Sequence, residues 1–281
     1  MILSNAYNMR ELFYNKILEQ LTARPYGTMY ANDFRVTELA LSPFAFYLKR
    51  KFWNTPEYII EASRCMNLLF GTAFHNLTEF EDTETKKSDV KVSVVLNVNG
   101  TTVTVYGSID YWETDGICVK IVDWKTGKCS QINYPVNQNY VWQVNCYKYM
   151  DFIDRKFKEG VTPYCLYVSM FLKDHTQVGY RKKKNVPMIP FHETEVDTYD
   201  QNVIKQYFYE KISEKLMPID ETAFCSEEYK SFGKCDGFDL RCKGYCEMFT
   251  VCPYALAKGY VPNEILVDAK KRKNYIETEI T

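Results

Sequence analysis

Long apolar runs are missing from this 281-residue chain. None approaches the roughly 18 residues that a membrane-spanning helix needs, so no helical span is expected. The opening stretch, MILSNAYNMRELFYNK, lacks the apolar segment after a basic start that marks a signal peptide. A cytoplasmic, intracellular protein is therefore expected, a phage or viral protein inside its host included. Internal repeats and low-complexity segments are absent too. Neither sign of charge dominates, the formal net charge being −1. That balance neither requires nor excludes a polyanionic partner, because a local basic strip suffices to hold one. Short basic runs at Lys49 to Lys51, Arg155-Lys156, Arg181 to Lys184 and Lys270 to Lys273 are candidates for such a strip. The Gly-x4-Gly-Lys phosphate loop is also missing. Thr126-Gly127-Lys128 looks like its tail, but Val122 stands where its first glycine must be, which speaks against a nucleotide-driven motor.

What is present is an apolar share of 46%, enough for a sizeable core, and an aromatic share of 16% with 23 Tyr and 17 Phe. Tyrosine is amphipathic and suits a core, a wet groove or a stacking surface. Ten cysteines in an intracellular chain are expected as thiols or metal ligands rather than disulfides.

Apolar periodicity predicts helices over 9–22, over 37–52 with a break at Pro43, and over 60–82, where Gly71 is a candidate close-packing point. The character then changes. VKVSVVLNV (90–98) and TTVTVYGSIDY (101–111) are β-branched and partly alternating, and Asn99-Gly100 between them is a two-residue hairpin signal. Thr114-Asp115-Gly116 marks a second turn before ICVKIVDW (117–124), which completes a three-stranded antiparallel meander. A helix is expected at about 138–157, strands at 164–172 and about 177–182, and a helix at about 200–216. Helices and strands so interleaved indicate an α/β or α+β sheet covered by helices on both faces. The expected domains are a core at 1–220, a cysteine-rich lobe at 221–265 and a polar tail at 266–281.

Chemistry concentrates in Gly107-Ser-Ile-Asp110 and Ile121-Val-Asp123-Trp-Lys125-Thr-Gly127. Asp123 and Lys125 are two apart on a strand and so share a face. Charged groups at the end of a Val/Ile-rich strand must be paired, hydrated or bound to metal. Two carboxylates and an ammonium suit Mg²⁺ or Mn²⁺ beside a reacting phosphate. Asp-x-Lys alone fits a surface salt bridge equally well, but other residues accompany it. His75 stands in Gly71-Thr-Ala-Phe-His75-Asn-Leu-Thr-Glu79, with Glu79 on the same helical face. Gln143 and Tyr147, four apart, project an amide and a phenol at one spot. A geometric condition comes with this set. A tight turn centred on Thr114-Asp115 pairs Asp110 with Val119 and leaves the two aspartates about four residues, roughly 13 Å, apart. A bulge, a bend or a longer loop near 108–112 or 116–119 is therefore expected.

In this order and spacing, His75, Gly-x-x-Asp110, Asp123-x-Lys125-Thr-Gly and Gln143-x3-Tyr147 resemble the RecB-like PD-(D/E)XK nucleases, over about residues 35–255. The resemblance implies a restriction-endonuclease-like mixed central sheet with an antiparallel meander, flanked by helices. It implies a metal-dependent deoxyribonuclease: His75, Asp110, Asp123 and the Trp124 carbonyl as metal ligands, Lys125 as catalytic lysine, and Gln143 and Tyr147 supporting the site and contacting DNA. An exonuclease in recombination, replication or repair is the first expectation. An endonuclease with the same site and a silent nucleic-acid-binding protein stapled by zinc remain alternatives. Such nucleases act alone, as rings of copies (a homo-oligomer) or as subunits with recombination or replication protein partners.

Cys225, Cys235, Cys242, Cys246 and Cys252 cluster near the C-terminus, a density that points to metal. Relatives in the resembled family carry an iron–sulfur cluster on one early and three late cysteines. Here Ser42-Pro43 replaces the early cysteine. A cluster, or Zn²⁺ in its place, would use Cys242, Cys246, Cys252 and a fourth thiolate from Cys235, then Cys225, then Cys65. Cys118, Cys129, Cys146 and Cys165 are expected as small core residues.

Overall fold

The computed structural model describes residues 2–4, 10–22, 32–53, 55, 59–61, 65, 69, 71–73, 78, 80–155, 163–175, 189–219, 248 and 250–253. Along the chain the elements are β1 (Ile2–Ser4), α1 (Glu11–Thr22), β2 (Asp33–Arg35), α2 (Val36–Leu39), α3 (Pro43–Phe52), β3 (Ile59–Glu61), β4 (Lys86–Val98), β5 (Thr101–Thr114), β6 (Val119–Gly127), a 3-10 turn (Cys129–Asn133), α4 (Gln138–Arg155), β7 (Tyr164–Leu172), β8 (Phe191–Val196) and α5 (Gln201–Leu216). They divide between two compact units. One holds residues 30–40 and 70–213; the other holds 1–29, 41–69 and 214–281.

The first unit is built on a six-stranded mixed sheet flanked by helices. Its frame is the expected meander. At the β4–β5 turn, Asn99 and Gly100 take φ of 51° and 80°, the left-handed pair that a two-residue hairpin needs to match strand twist. Asn97 Oδ1 accepts from the Gly100 amide at 3.0 Å, and Asn99 is held by Ser213 and Tyr209 of α5. β4 alternates cleanly, with Val92, Val94 and Val98 buried while Val95 is exposed. β6 instead buries Val119, Ile121, Val122 and Asp123 almost without a break, as a strand covered on both faces does. It pairs antiparallel with β5 and parallel with β7, and β8 closes the edge antiparallel to β7.

β5 changes partners on one edge. β4 runs along its whole length, but the other edge pairs with β2 at Thr104–Tyr106 and with β6 only at Tyr111–Thr114. Gly107 to Asp110 lie between the two pairings.

α4 crosses the inner face of β4 to β7. Its Asp151, almost fully buried, accepts hydrogen bonds from Trp112 Nε1 and Tyr164 OH, both at 3.1 Å. Asp151→Ala strands both donors, and urea melts are expected to show a loss of about 2–4 kcal/mol, since each unsatisfied buried group costs about 1–3 kcal/mol. α5 packs on α4 through Trp142 stacked on Tyr207 at 4.1 Å and Tyr149 against Phe208.

In the second unit, β1 pairs parallel with β3. Ser42 Oγ caps α3 through the Ala45 amide at 3.1 Å with Pro43 in its first turn, so the expected break at Pro43 is a helix start. The Lys49 to Lys51 run is laid over Trp53, Phe46 and Tyr47 rings. Ile17, Phe44, Leu48, Met248 and Val251 are buried.

One sequence expectation needs correction. The start of the 60–82 helix is strand β3, because Ile59-Ile60 are β-branched and find a partner in β1; residues 69, 71–73 and 78 are helical. A Cβ built at Gly71 meets no described atom within 4 Å. The strand expected at 177–182 lies outside the described residues, and β8 was not anticipated. Among the described residues no helix is long and apolar enough to cross a membrane.

Candidate active site

Asp110 and Asp123 come together through two departures from a regular hairpin. The first is the loop after β5. Asp115 Oδ1 accepts from the Ile117 and Cys118 amides at 2.8 and 2.7 Å, and Thr114 Oγ1 donates to the Cys118 carbonyl at 2.9 Å. Gly116 sits at φ 86°, a conformation that suits glycine. This four-residue loop makes Thr114 pair with Val119 and Tyr111 with Val122. One step further along that register, Asp110 stands opposite Asp123.

The second departure lies at Asp110 itself. Asp89 of β4 has φ 49°, and the β4–β5 pairing runs through Ser88–Tyr111 and Val90–Ile109 but skips the position between. Gly107 and Trp112 are five residues apart and would face opposite ways on a regular strand. Both nevertheless meet α4: a Cβ at Gly107 would lie 2.5 Å from Tyr147 Cε1, and Trp112 donates to Asp151. The break turns Asp110 toward α4. Irregularity was expected at 108–112 or 116–119, and both stretches contribute.

Beyond Tyr111–Val122 the strands part, and the Trp124 amide donates to the Asp110 carboxylate at 2.7 Å. Asp123 and Lys125 share the α4 face, as their spacing required, and Lys125 Nζ lies 2.5 Å from Asp123 Oδ2. The charge of Asp123 and a side-chain hydrogen bond to it both favour the ammonium. Asp123 Oδ1 accepts from Gln143 Nε2 at 3.0 Å, and the same nitrogen reaches Tyr147 OH at 2.8 Å. Gln143, Tyr147 and Asp151 form an i, i+4, i+8 stripe on α4. Lys125 Nζ also sits 5.0 Å above the Tyr140 ring.

Burial, and next the charge of Asp123, push the Asp110 carboxyl up to about 8, against weaker opposing pulls from Lys125 and the Trp124 amide. For Lys125, burial disfavours the ammonium, but the Asp123 and Asp110 charges outweigh it and hold its pKa above the usual value. Burial and Asp123 raise Tyr147 well above the ordinary phenol, so it acts only as a neutral group. The cluster thus sets two carboxylates beside one ammonium. Because burial and the neighbouring Asp123 charge disfavour the ionised Asp110, a bound divalent cation would favour it. The donor set fits a hard divalent ion, which one or two carboxylates and several waters commonly hold.

His75, Glu79, Cys225, Cys235, Cys242 and Cys246 lie outside the described residues. Cys252 is buried in the second unit. Among the described residues no three His, Cys, Asp or Glu side chains group as a metal site; the described part of this one offers two carboxylates. Cys129 and Cys146 are buried, as core residues are, whereas Cys118 and Cys165 are half-exposed with sulfurs 3.2 Å apart across β6 and β7. The sequence reading missed Tyr140 and Asp151, although Asp151 continues the Gln143–Tyr147 spacing by one turn.

Gly107 is where the strand lets the helix approach. Gly107→Val is expected to displace the buried Tyr147 ring, and with it Gln143 and its bond to Asp123. A melting-temperature fall of about 4 °C or more is expected, as overpacking costs about 1–3 kcal/mol.

No protein-family model matches the chain, and no curated protein does. Ten chains of solved structure match it. One is the crystal structure of SSO0001, 14% identical, with a TM-score of 0.51 over 87% of this chain and 96% of that one. Likeness at that identity is a likeness of fold: a mixed α/β architecture with the six-stranded sheet between helices.

Proposed function

We propose that this chain is a metal-dependent DNA nuclease of the RecB-like, restriction-endonuclease-like kind, acting inside the cell as an exonuclease. The observation that carries the reading is the Asp110–Asp123 pair gathered beside Lys125 and Gln143 where β5 changes partners. Strands that diverge leave a crevice at their ends, where open α/β sheets place ligands.

Asp110 and Asp123 would hold Mg²⁺ or Mn²⁺, whose bound form supplies charge for the phosphoryl oxygens and a more acidic water. The protein's own groups do the rest. Lys125, kept charged by its neighbours, places an ammonium beside the phosphate oxygen on which charge develops. Gln143 fixes the Asp123 carboxylate and is itself fixed by Tyr147. The Trp124 amide holds Asp110 and ties β5 to β6 at the crevice. A metal-bearing lobe of the late cysteines belongs to the same proposal, through the resemblance of their spacing.

The test is incubation of purified protein with circular DNA and with linear DNA labelled at the 5′ or 3′ end, in Mg²⁺, Mn²⁺ or EDTA. Mononucleotide or short-oligonucleotide release from linear DNA only, abolished by EDTA, is expected. Nicking or cutting of circles would make it an endonuclease, and no cleavage with either metal would refute the nuclease reading.

A further inference from the structure

Beside the carboxylates the sheet face continues into a cavity of about 240 Å³. Its position follows from register. Asp123 pairs with Val168, which pairs with Thr194; Lys125 pairs with Met170, which pairs with His192. Paired residues share a face, so Val168 and Met170 floor the cavity one strand, about 5 Å, from the site, and His192 and Thr194 form its far wall two strands, about 10 Å, away. The near wall is Tyr134 and Tyr140. Tyr140 carries Lys125 over its ring, joining the cavity to the site, and Tyr134 is an exposed aromatic at the rim.

The lining selects by chemistry. Among the described residues no carboxylate, lysine or arginine lines the cavity, so its described walls neither repel a polyanionic strand nor offer a phosphate a cation of their own. Aromatic rings and a thioether give flat apolar contact, while His192, Thr194 and neighbouring amide side chains give hydrogen-bonding edges. The volume lies below the roughly 300–1,000 Å³ of sites for drug-sized ligands and suits a single flat heterocycle. A phosphate at Lys125 carries its base one sugar away, over this floor. We infer that the cavity is a nucleobase subsite, which takes one unstacked base of the strand whose phosphate lies at Asp110, Asp123 and Lys125. The inference rests on the nuclease reading for its substrate.

The test is a binding measurement that needs no cleavage. Fluorescence anisotropy in EDTA compares a short labelled oligothymidylate with an abasic strand of equal length, which keeps the phosphates and lacks the bases. The wild-type protein is expected to prefer the base-bearing strand by about tenfold, the scale of one base stacking on an aromatic side chain. Tyr134→Ala with His192→Ala, and separately the cavity-filling Thr194→Phe, are expected to reduce the preference below about twofold while leaving abasic-strand affinity unchanged. Equal wild-type affinity for both strands, no binding of either, or a preference that survives in both variants overturns the subsite. Absence of Mg²⁺-dependent cleavage would strike the nuclease reading alone, since the base preference is read in EDTA.

Discussion

Lys125→Ala should lose at least about a hundredfold in the initial rate of Mg²⁺-dependent DNA cleavage, the loss typical when one group that stabilises transition-state charge is removed. Asp123→Asn should lose more. It keeps the shape and the hydrogen bond with Gln143 but removes the charge that both Lys125 and a cation need. Neither loss should come from unfolding. Deleting Lys125 removes the ammonium from a cluster in which Asp110 already tends to hold a proton, and Asp123→Asn preserves volume. Circular-dichroism melts on the same preparations separate the explanations. A variant that retains its melting transition and loses cleavage supports a chemical role. Full cleavage by Lys125→Ala would leave the lysine as an ordinary ion-pair partner.

The second large effect opposes stability to activity at one residue. The Asp110 carboxyl stands near 8 in the metal-free fold, chiefly through burial and then through Asp123, against an unfolded value of about 4. The native state therefore holds a proton that the unfolded chain has released between about pH 4 and 8. Its contribution to stability is full below that window, declines as pH rises through it and is gone above it. In EDTA the wild-type melting temperature should thus fall between pH 5.5 and 8.5 more steeply than that of Asp110→Asn, in which this group no longer titrates. At pH 8.5 the variant should melt higher by about 3 °C or more, the scale of 1 kcal/mol in a domain of this size. The same substitution should abolish cleavage. A group that destabilises the empty fold and is required by the loaded one is the signature of a site shaped for its ligand. Parallel pH profiles for the two proteins would refute this account of Asp110.

Much of the architecture was legible along the chain. The β4–β5–β6 meander, β7, α4 and α5 follow from β-branched alternation, the Asn99-Gly100 turn and helical periodicity, all of which are local. β3 was misread because Ile59-Ile60 suits helix and strand equally until β1, more than fifty residues away, supplies a partner. β8 escaped notice because FHETEV is short and polar, an edge strand with little apolar signal.

At the site the division is sharper. By itself the sequence determined which groups are available and some of their facing: Asp123 with Lys125 by strand period, Gln143 with Tyr147 by helical period. It also determined that a regular hairpin would hold the two aspartates apart. Only the tertiary structure decided that they meet. The meeting depends on the 115–118 loop setting the register, on the missed pairing at Asp89 turning Asp110 toward α4, and on Gly107 admitting Tyr147. Periodicity carries no signal for these features, because each is a departure from it. The raised pKa of Asp110 is likewise a property of depth and neighbours, which belong to the fold and not to any stretch of sequence.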